Sequence, residues 1–182
     1  MGRCSGLRLD SLIADLLAYC RIAQERVELE RLDPGPIIRD VLNREIAQAA
    51  PREVEASLVD GIPPVLGHPV LLSKVFAQLV SNALKFTAPN VRPEIRIECE
   101  TTGPRIRVWV KDNGIGIPAE HHDRVFKPFE RLDAPGASSG TGMGLAIVRI
   151  AAEHMRGRVG VESEAGKGSR FWVELLKHER KS

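Results

Sequence analysis

Aromatic residues are scarce in this chain, and neither sign of charge is in excess. Phenylalanine, tryptophan and tyrosine together make up 4% of the 182 residues, too few for the stacking platforms that bind single-stranded nucleic acid. The formal net charge is only +2, and basic residues are interleaved with acidic ones instead of forming a block. The composition therefore argues against a nucleic-acid partner.

Cysteines and long apolar runs are also rare. Cys4, Cys20 and Cys99 are odd in number, widely spaced and without a C-x-x-C pair, so we interpret them as reduced thiols of a cytoplasmic protein. No apolar run is long enough to cross a bilayer, and the N-terminus lacks the apolar core of a signal peptide. If the full-length protein is membrane-anchored, we expect the anchor to lie outside this chain.

The most informative stretch is residues 112–117, with the sequence Asp-Asn-Gly-Ile-Gly-Ile. It follows an alternating apolar run at residues 106–110, which predicts a β-strand. The carboxylate of Asp112 can accept a hydrogen bond from an exocyclic amine. The glycines allow backbone to come close, and the isoleucines offer apolar walls. The stretch therefore predicts a site for a flat polar heterocycle.

A second glycine-rich stretch, residues 140–145 with the sequence Gly-Thr-Gly-Met-Gly-Leu, stands just ahead of a helical pattern. A glycine-rich turn that opens a helix presents free backbone N–H groups and the positive end of the helix dipole to phosphate groups. One site for a base and another for phosphates in a small chain predict a nucleotide ligand.

Apolar residues recur at helical spacing near the N-terminus, which predicts one amphipathic helix over residues 7–26. The helix has two interpretations. It is either a core helix or half of a helical hairpin whose other half is missing, with its apolar stripe left for a partner chain. We favour the second interpretation, because no earlier segment could supply the other helix of the hairpin. The stripe consists of Leu9, Leu12, Ile13, Leu16, Cys20 and Ala23.

Helical and strand-like patterns alternate in the rest of the chain. We expect strands at residues 27–32, 54–59, 95–100, 105–111, 158–163 and 169–176, and helices at 33–50, 68–86 and 144–155, with a short helix opening at Pro118. Asp33 and Pro34 read as an N-cap and a first helical residue. Gln78 and Asn82 stand four residues apart and therefore share one helix face.

Three other motifs are poorer matches to known sites. Residues 140–144 are not G-x-G-x-x-G and follow no strand directly, which argues against a Rossmann fold. Residues 160–167 resemble a Walker loop but have five residues between the glycines, so we interpret them as a hairpin turn. Adjacent histidines on a helix point apart, so His121 and His122 favour a surface role over a metal site. His68 is interpreted as a cap or surface residue.

Four segments together resemble the N, G1, F and G2 boxes of sensor histidine kinases. They are residues 78–87, 112–117, 125–132 and 140–145, and they occur in the order typical of that family. The similarity extends from about residue 30 to about residue 176, and four ordered motifs are far more specific than any one of them. Residues 12–21 are also similar to the second helix of the family's dimerisation domain.

The resemblance implies an α+β fold of the Bergerat type. This is a two-layer α/β sandwich, a mixed and mostly antiparallel sheet covered by three helices, here preceded by one amphipathic helix. The chain would divide into residues 1–26, part of a dimerisation and phosphoacceptor domain, and residues 27–182, an ATP-binding catalytic domain. The implied cofactors are ATP and Mg²⁺.

The resemblance also implies a role for each matching residue. Asp112 would hold the adenine amine, and Gly116 would let the ring approach. Asn82 would bind Mg²⁺ through its side-chain oxygen, a hard ligand for a hard ion. Lys85 would neutralise phosphate charge, and Asn82 and Lys85 are the implied catalytic pair. Phe86 would line the nucleotide site.

A lid is implied at residues 130–141, seated by Phe126 and Phe129. The glycines of the second stretch would face the phosphates. The complete set of implied nucleotide-binding residues is Asn82, Lys85, Phe86, Asp112, Gly114, Gly116, Ile117, Phe129, Gly140, Thr141, Gly142, Gly144, Leu145 and Ser169.

Two departures from the family pattern bear on the reaction. Gln78 stands where the family usually has Asn, and where gyrase-type relatives have a glutamate that activates water. A neutral amide cannot act as that base, which favours phosphoryl transfer over ATP hydrolysis. In addition, no histidine here stands in the family's phosphoacceptor pattern. The acceptor is therefore expected in another domain, supplied in cis or in trans.

The leading hypothesis is an ATP-binding histidine kinase module that transfers the γ-phosphoryl group to a histidine absent from this chain. Its expected partners are a phosphoacceptor domain, a downstream response-regulator receiver domain and a second copy in a full-length homodimer. The alternative is a non-catalytic, ATP-responsive interaction module that docks through the stripe at residues 9–23. A third candidate, an anti-sigma-type serine kinase, usually carries Glu at the position of Gln78, and the leading dimerisation helix argues against it.

Overall fold

The computed structural model describes residues 3–24, 27–49, 52–131 and 140–178. None of the helices in these ranges is both long and apolar enough to cross a membrane. The predicted helices and strands are present there, with ends that shift by a few residues. In chain order the elements are α1 (Arg3–Gln24), β1 (Glu30–Leu32), α2 (Pro34–Gln48), β2 (Glu55–Leu58), β3 (Val65–Gly67), α3 (Pro69–Lys85), β4 (Glu94–Thr102), β5 (Arg105–Asp112), a 3₁₀ turn (Ala119–His121), α4 (Gly144–His154), β6 (Arg158–Ser163) and β7 (Ser169–Leu176).

Proline residues begin two of the helices. At α2 the Asp33 carboxylate accepts a hydrogen bond from the Gly35 N–H at 3.1 Å, and Pro34 occupies the first helical position, as predicted. At α3 the residue before the helix is His68, with an extended backbone but no side-chain capping hydrogen bond. His68 therefore caps α3 through its backbone conformation alone, and Pro69 supplies the fixed φ of the first turn.

The main sheet has five strands in the order β2-β4-β5-β7-β6. Neighbouring strands of this sheet pair antiparallel, except β2 and β4, which pair in parallel. The expected mixed, mostly antiparallel sheet is therefore confirmed. β1 and β3 form a separate two-stranded antiparallel sheet. β3 was not predicted, because its three residues between Pro64 and His68 are too few to display a period of two.

Helices α2, α3 and α4 pack beside one another on one face of the five-stranded sheet, which confirms the two-layer architecture. Each contributes fully buried side chains: Ile38 from α2, Phe76 from α3 and Ile147 from α4 are at most 2% exposed. Alternate residues of the strands, such as Ile95 and Val110, complete this core. The core holds α3 and α4 side by side, and this fixes the geometry of the site described below.

The opposite face of the sheet has no helices among the described residues. Its two tryptophans, Trp109 and Trp172, pack edge to face with their ring centroids 6.4 Å apart. The Arg170 guanidinium lies 4.1 Å from the Trp109 ring, and that of Arg107 lies 4.4 Å from the Trp172 ring. Arginine stacking thus covers apolar rings that a second helical layer would otherwise bury.

Helix α1 packs against α4 and divides its apolar residues between two environments. Ile22 is 1% exposed and belongs to the core, whereas Leu9, Ile13 and Leu17 are 58%, 46% and 52% exposed. The core-helix interpretation therefore applies only to one side of the helix, where Leu12 and Tyr19 also pack against the core. Most of the stripe stays uncovered by the described part of the chain, as the partner-chain interpretation expects.

Candidate functional site

A cavity of about 360 Å³ lies between α3, the end of β5 and the N-terminus of α4. Its volume is in the range of small-molecule sites. The structure brings twelve of the fourteen implied nucleotide-binding residues to its walls, and only Gly114 and Phe129 are not among its lining residues. The twelve are Asn82, Lys85, Phe86, Asp112, Gly116, Ile117, Gly140, Thr141, Gly142, Gly144, Leu145 and Ser169.

Asp112, the last residue of β5, is a buried acid on the cavity wall. Its Oδ1 accepts hydrogen bonds from the N–H groups of Gly114 at 2.8 Å and Ser169 at 3.2 Å. In the described part of the chain no hydrogen bond ends on Oδ2. Burial raises the pKa of this carboxyl from 3.8 to about 6, although the two backbone hydrogen bonds act in the opposite direction. An amine donor from a ligand would satisfy the remaining oxygen.

The glycines after Asp112 are needed for contacts within the protein. A Cβ on Gly114 would lie 2.9 Å from the Phe86 carbonyl oxygen, so this glycine lets the turn pack against the end of α3. Gly116 has φ +70°, and a Cβ there would collide with the Glu164 carbonyl. Its lack of a side chain therefore admits the β6–β7 turn. This requirement comes from the protein backbone, whereas the predicted role concerned only a ligand ring.

Ser163, at the end of β6, ties this turn to the neighbouring strand. Its hydroxyl accepts a hydrogen bond from the Ile117 N–H at 2.8 Å and donates one to the Gly168 carbonyl at 2.8 Å. It also lies 2.9 Å from the Ser169 hydroxyl, next to Asp112. Ser163 was not predicted from the sequence, because a single serine at a strand end belongs to no recognisable motif.

Helix α3 places two amide side chains opposite the start of α4. Gln78 and Asn82 both line the cavity. A Cβ on Gly144, the first residue of α4, would lie 2.7 Å from Gln78 Oε1 and 4.0 Å from Asn82 Oδ1. Met143 provides no side-chain cap, so the first N–H groups of α4 lack both helical partners and a capping side chain. Such a helix start attracts anions, which suits phosphate groups.

Lys85 lies beside the glycine-rich stretch. Its Nζ lies 5.1 Å from the centroid of the Phe86 ring, and a Cβ on Gly140 would collide with it. Burial lowers the pKa of Lys85, the positive charge of Arg131 lowers it further, and the negative charge of Asp15 raises it. Arg131 also lines the cavity, so a phosphate group would meet two cations there.

Asp15 of α1, which was not predicted as a site residue, reaches the same end of the cavity. The Thr141 hydroxyl donates a hydrogen bond to Asp15 Oδ2 at 2.5 Å, and Asp15 is itself a lining residue. The two residues are 126 positions apart in the chain. No local pattern could have connected them, because the contact depends on where α1 docks.

The segment after the 3₁₀ turn carries the two phenylalanines assigned to the lid. Phe126 is buried and packs edge to face on Phe171, with centroids 6.3 Å apart. Phe129 is 57% exposed and has φ +63°. Its backbone, and not its ring, approaches Gly142, where a Cβ would lie 2.9 Å from the Phe129 carbonyl carbon. Most of the implied lid, residues 132–139, lies outside the described residues.

The cavity offers few metal ligands. No cluster of three or more His, Cys, Asp or Glu side chains suited to a metal occurs among the described residues. The Asn82 side-chain oxygen fits an ion such as Mg²⁺, which keeps most of its ligands as water and phosphate oxygens.

His122 Nε2 forms a 3.1 Å hydrogen bond with the Ile117 carbonyl, so this histidine is half-buried against the loop after β5.

The chain is similar in sequence to proteins of known function. The model of a family described as "Histidine kinase-, DNA gyrase B-, and HSP90-like ATPase" matches residues 67–179. Cyanobacterial phytochrome A from Nostoc sp. is 33% identical over 170 residues, covering 92% of this chain and 22% of that protein. Sensor histidine kinase RcsC from Escherichia coli is 33% identical over 184 residues, covering 96% of this chain and 19% of that protein. The chain thus spans about a fifth of these curated relatives.

Solved structures show the same arrangement of elements. Full-length ShkA in complex with AMPPNP superimposes with a TM-score of 0.75 and 28% identity, covering 97% of this chain and 38% of that one. The nucleotide-free catalytic domain of histidine kinase ThkA superimposes with a TM-score of 0.66 and 26% identity, covering 83% of this chain and 97% of that one. ShkA therefore matches nearly the whole chain, including α1.

Proposed function

Because this chain belongs to the histidine kinase-, DNA gyrase B- and HSP90-like ATPase family and carries a catalytic domain of the sensor histidine kinase type, we propose that it binds ATP in the cavity between α3 and α4. It would donate the γ-phosphoryl group to a histidine of another domain. One observation carries the proposal: a buried carboxylate and the open N-terminus of a helix lie on the same cavity. The resemblance to sensor histidine kinases inferred from the four boxes is confirmed by the family match together with the similar sensor kinases and the solved structures.

The adenine end of the cavity is built around Asp112. In the proposal, the Oδ2 of its ionised carboxyl accepts a hydrogen bond from the exocyclic amine, while Oδ1 is already held by backbone N–H groups. Ile115, Ile117 and Phe86 line the same cavity and supply apolar surface for the ring. The anchored carboxyl needs little reorganisation on binding, and this preorganisation favours affinity.

The phosphate end is formed by Lys85, Arg131 and the glycines that lead into α4. Asn82 would hold Mg²⁺, which when bound supplies charge neutralisation for the phosphates. Lys85 and the free N–H groups of α4 hold the phosphate oxygens in place. Phosphoryl transfer depends mostly on positioning and charge neutralisation, so this set of groups is chemically sufficient.

The acceptor has to come from elsewhere. None of the five histidines of the chain, all of which lie within the described ranges, lines the cavity. Gln78 is a neutral amide and cannot activate water as a base, which favours transfer over hydrolysis. In the proposed step an imidazole nitrogen of the acceptor bonds to the γ-phosphorus, the bond to the β,γ-bridging oxygen breaks, and ADP leaves.

We further propose that the acceptor histidine belongs to a dimerisation domain of which residues 1–26 are one part, and that residues 27–182 form the catalytic domain. The exposed stripe of α1 supports this division, because a second copy could cover it. A receiver domain of a response regulator would then take the phosphoryl group. A cytoplasmic location stays a prediction that rests on the cysteine pattern.

Calorimetric titration with AMPPNP, with and without Mg²⁺, tests nucleotide binding. We expect binding by the wild-type chain, loss of about 1.5–3 kcal/mol in Asp112→Asn through the missing charged acceptor, and no change in the exposed control Asp123→Asn. A folded wild-type chain that binds no nucleotide would refute the proposal. Transfer is tested with labelled ATP and a separate phosphoacceptor domain, where acid-labile label should appear and be lost in Asn82→Ala.

The alternative is a non-catalytic, ATP-responsive module that docks through α1. The exposed side chains of Leu9, Ile13 and Leu17 are the observation that favours it. Nucleotide binding without any label on the phosphoacceptor domain would support this second function over the kinase.

A further inference from the structure

A carboxylate of the N-terminal helix occupies the phosphate end of the cavity. Asp15 Oδ2 accepts a hydrogen bond from the Thr141 hydroxyl, within the glycine-rich stretch that opens α4. The same hydroxyl accepts a hydrogen bond from the Met143 N–H at 3.3 Å. Asp15 is therefore bound to the turn that the proposed function assigns to the phosphates.

The charges around Asp15 are those that phosphate groups would use. Lys85 and Arg131 line the cavity together with Asp15. Burial and the charge of Arg131 lower the pKa of Lys85, and the negative charge of Asp15 opposes that lowering. Without a nucleotide, the carboxylate supplies the negative charge that these cations attract. With a nucleotide, it would face phosphates of its own sign across a half-buried site, where repulsion is less screened than in water.

Helix α1 packs on the core along one side, through the partly buried Leu12 and Tyr19 and the buried Ile22. Ile22 is buried, whereas Leu9, Ile13 and Leu17 are exposed. The hydrogen bond of Asp15 to Thr141 is the side-chain hydrogen bond that joins the described part of α1 to the rest of the chain. Loss of that contact would therefore remove the polar connection between α1 and the glycine-rich turn, while the apolar contacts of the helix with the core remain.

We propose that Asp15 is a specificity-determining residue that competes with the terminal phosphate of the bound nucleotide, so that docking of α1 selectively weakens ATP binding relative to ADP. The inference rests on the proposed function of the cavity. Its physical basis is that a competing carboxylate penalises a ligand in proportion to the negative charge placed beside it. A nucleotide with three phosphates places more charge there than one with two.

The test compares ADP and AMPPNP by calorimetric titration at one ionic strength and one Mg²⁺ concentration. Asp15→Asn removes the charge but keeps an oxygen that can accept from Thr141. We expect it to bind AMPPNP about threefold to fivefold more tightly than wild type, as loss of a partly exposed charge interaction predicts, with a smaller gain for ADP. Asp10→Asn, an exposed acid on the same helix, is the matched control and should change neither affinity.

The outcomes separate this inference from the proposed function. Weaker or unchanged AMPPNP binding in Asp15→Asn, or an equal gain for both nucleotides, would overturn the role of Asp15 while leaving nucleotide binding intact. No binding by the wild type or either variant would overturn the proposed function and this inference with it. The selective gain for AMPPNP supports both.

Hydrogen exchange provides an independent measurement. AMPPNP should speed exchange in residues 12–18 of the wild-type chain, because the nucleotide displaces the carboxylate and loosens the part of α1 around Asp15. The acceleration should be much smaller in Asp15→Asn, in which the repulsion is absent. Slower or unchanged exchange of α1 in the wild type on nucleotide binding would refute the competition.

Discussion

Replacement of Asp112 by Asn is expected to stabilise the folded chain while weakening nucleotide binding. Asp112 is 8% exposed, and burial raises the pKa of its carboxyl from 3.8 to about 6. Each tenfold change in proton affinity corresponds to 1.36 kcal/mol, so keeping this group ionised in the folded chain costs about 3 kcal/mol at pH 7. Asparagine carries no charge to desolvate, and its oxygen can still accept from the Gly114 and Ser169 N–H groups.

The pH dependence has a definite sign. Well below pH 3.8 the carboxyl is protonated in both the folded and the unfolded chain, and the penalty is absent. As the pH rises from about 4 to 6, the unfolded chain releases this proton first, so wild-type stability falls through this window. The stability of Asp112→Asn minus that of wild type should therefore be small at pH 4 and grow to about 3 kcal/mol at pH 7.

Urea unfolding followed by circular dichroism at pH 4, 5, 6 and 7 measures this difference, with AMPPNP absent. Asp123→Asn, at an exposed position, controls for the general effect of removing an acid. At one AMPPNP concentration the nucleotide should then stabilise the wild type more than Asp112→Asn, since stabilisation by a ligand of the folded state falls as its affinity falls. An Asp112→Asn chain that is no more stable than wild type at pH 7 would refute the account of Asp112 as a buried charge retained for binding.

Three further substitutions test the structure around the site by urea unfolding. Gly116→Ala should lower the free energy of unfolding by more than about 2 kcal/mol, because φ is +70° and a Cβ would strike a carbonyl of the β6–β7 turn. The control Gly103→Ala, at φ +58° with open space around it, should lower it by about 1 kcal/mol. Equal losses in the two variants would contradict the close approach at Gly116. Arg52→Met should lower the free energy of unfolding by about 2–3 kcal/mol, because the Arg52 guanidinium donates to four carbonyls at and beyond the end of α3. The control Arg39→Met, at an exposed position, should lower it by under about 0.5 kcal/mol. Ser163→Ala should lower the free energy of unfolding by about 1 kcal/mol and weaken AMPPNP binding. An unchanged affinity for AMPPNP would show that Ser163 does not support the nucleotide site.

Local patterns predicted most of the fold. The cap at Asp33 and Pro34, the hairpin of β4 and β5 and the helical period of α3 depend on residues a few positions apart, which is why they were read correctly from the sequence. The two parts of the fold that were predicted poorly, β3 and the start of α1, lack such a local pattern. β3 is too short to show a period, and the start of α1 lies in residues whose pattern is weak.

The candidate site divides in the same way. Asp112 and the glycine-rich stretch carry their chemistry within six residues each, so the sequence alone was enough to predict a base site and a phosphate site. The pKa of Asp112 was not accessible, because it depends on how completely β5, β7 and the loop after β5 exclude water from the carboxyl.

The sequence by itself determined the order of the elements, the ligand class and most of the residues that line the cavity. Only the tertiary structure decided that Asp15 reaches Thr141, that Ser163 ties two loops together and that Gly116 is required by a neighbouring turn. Each of these contacts joins residues far apart in the chain. Their existence depends on the packing of whole helices and strands, and no local period or motif records that packing.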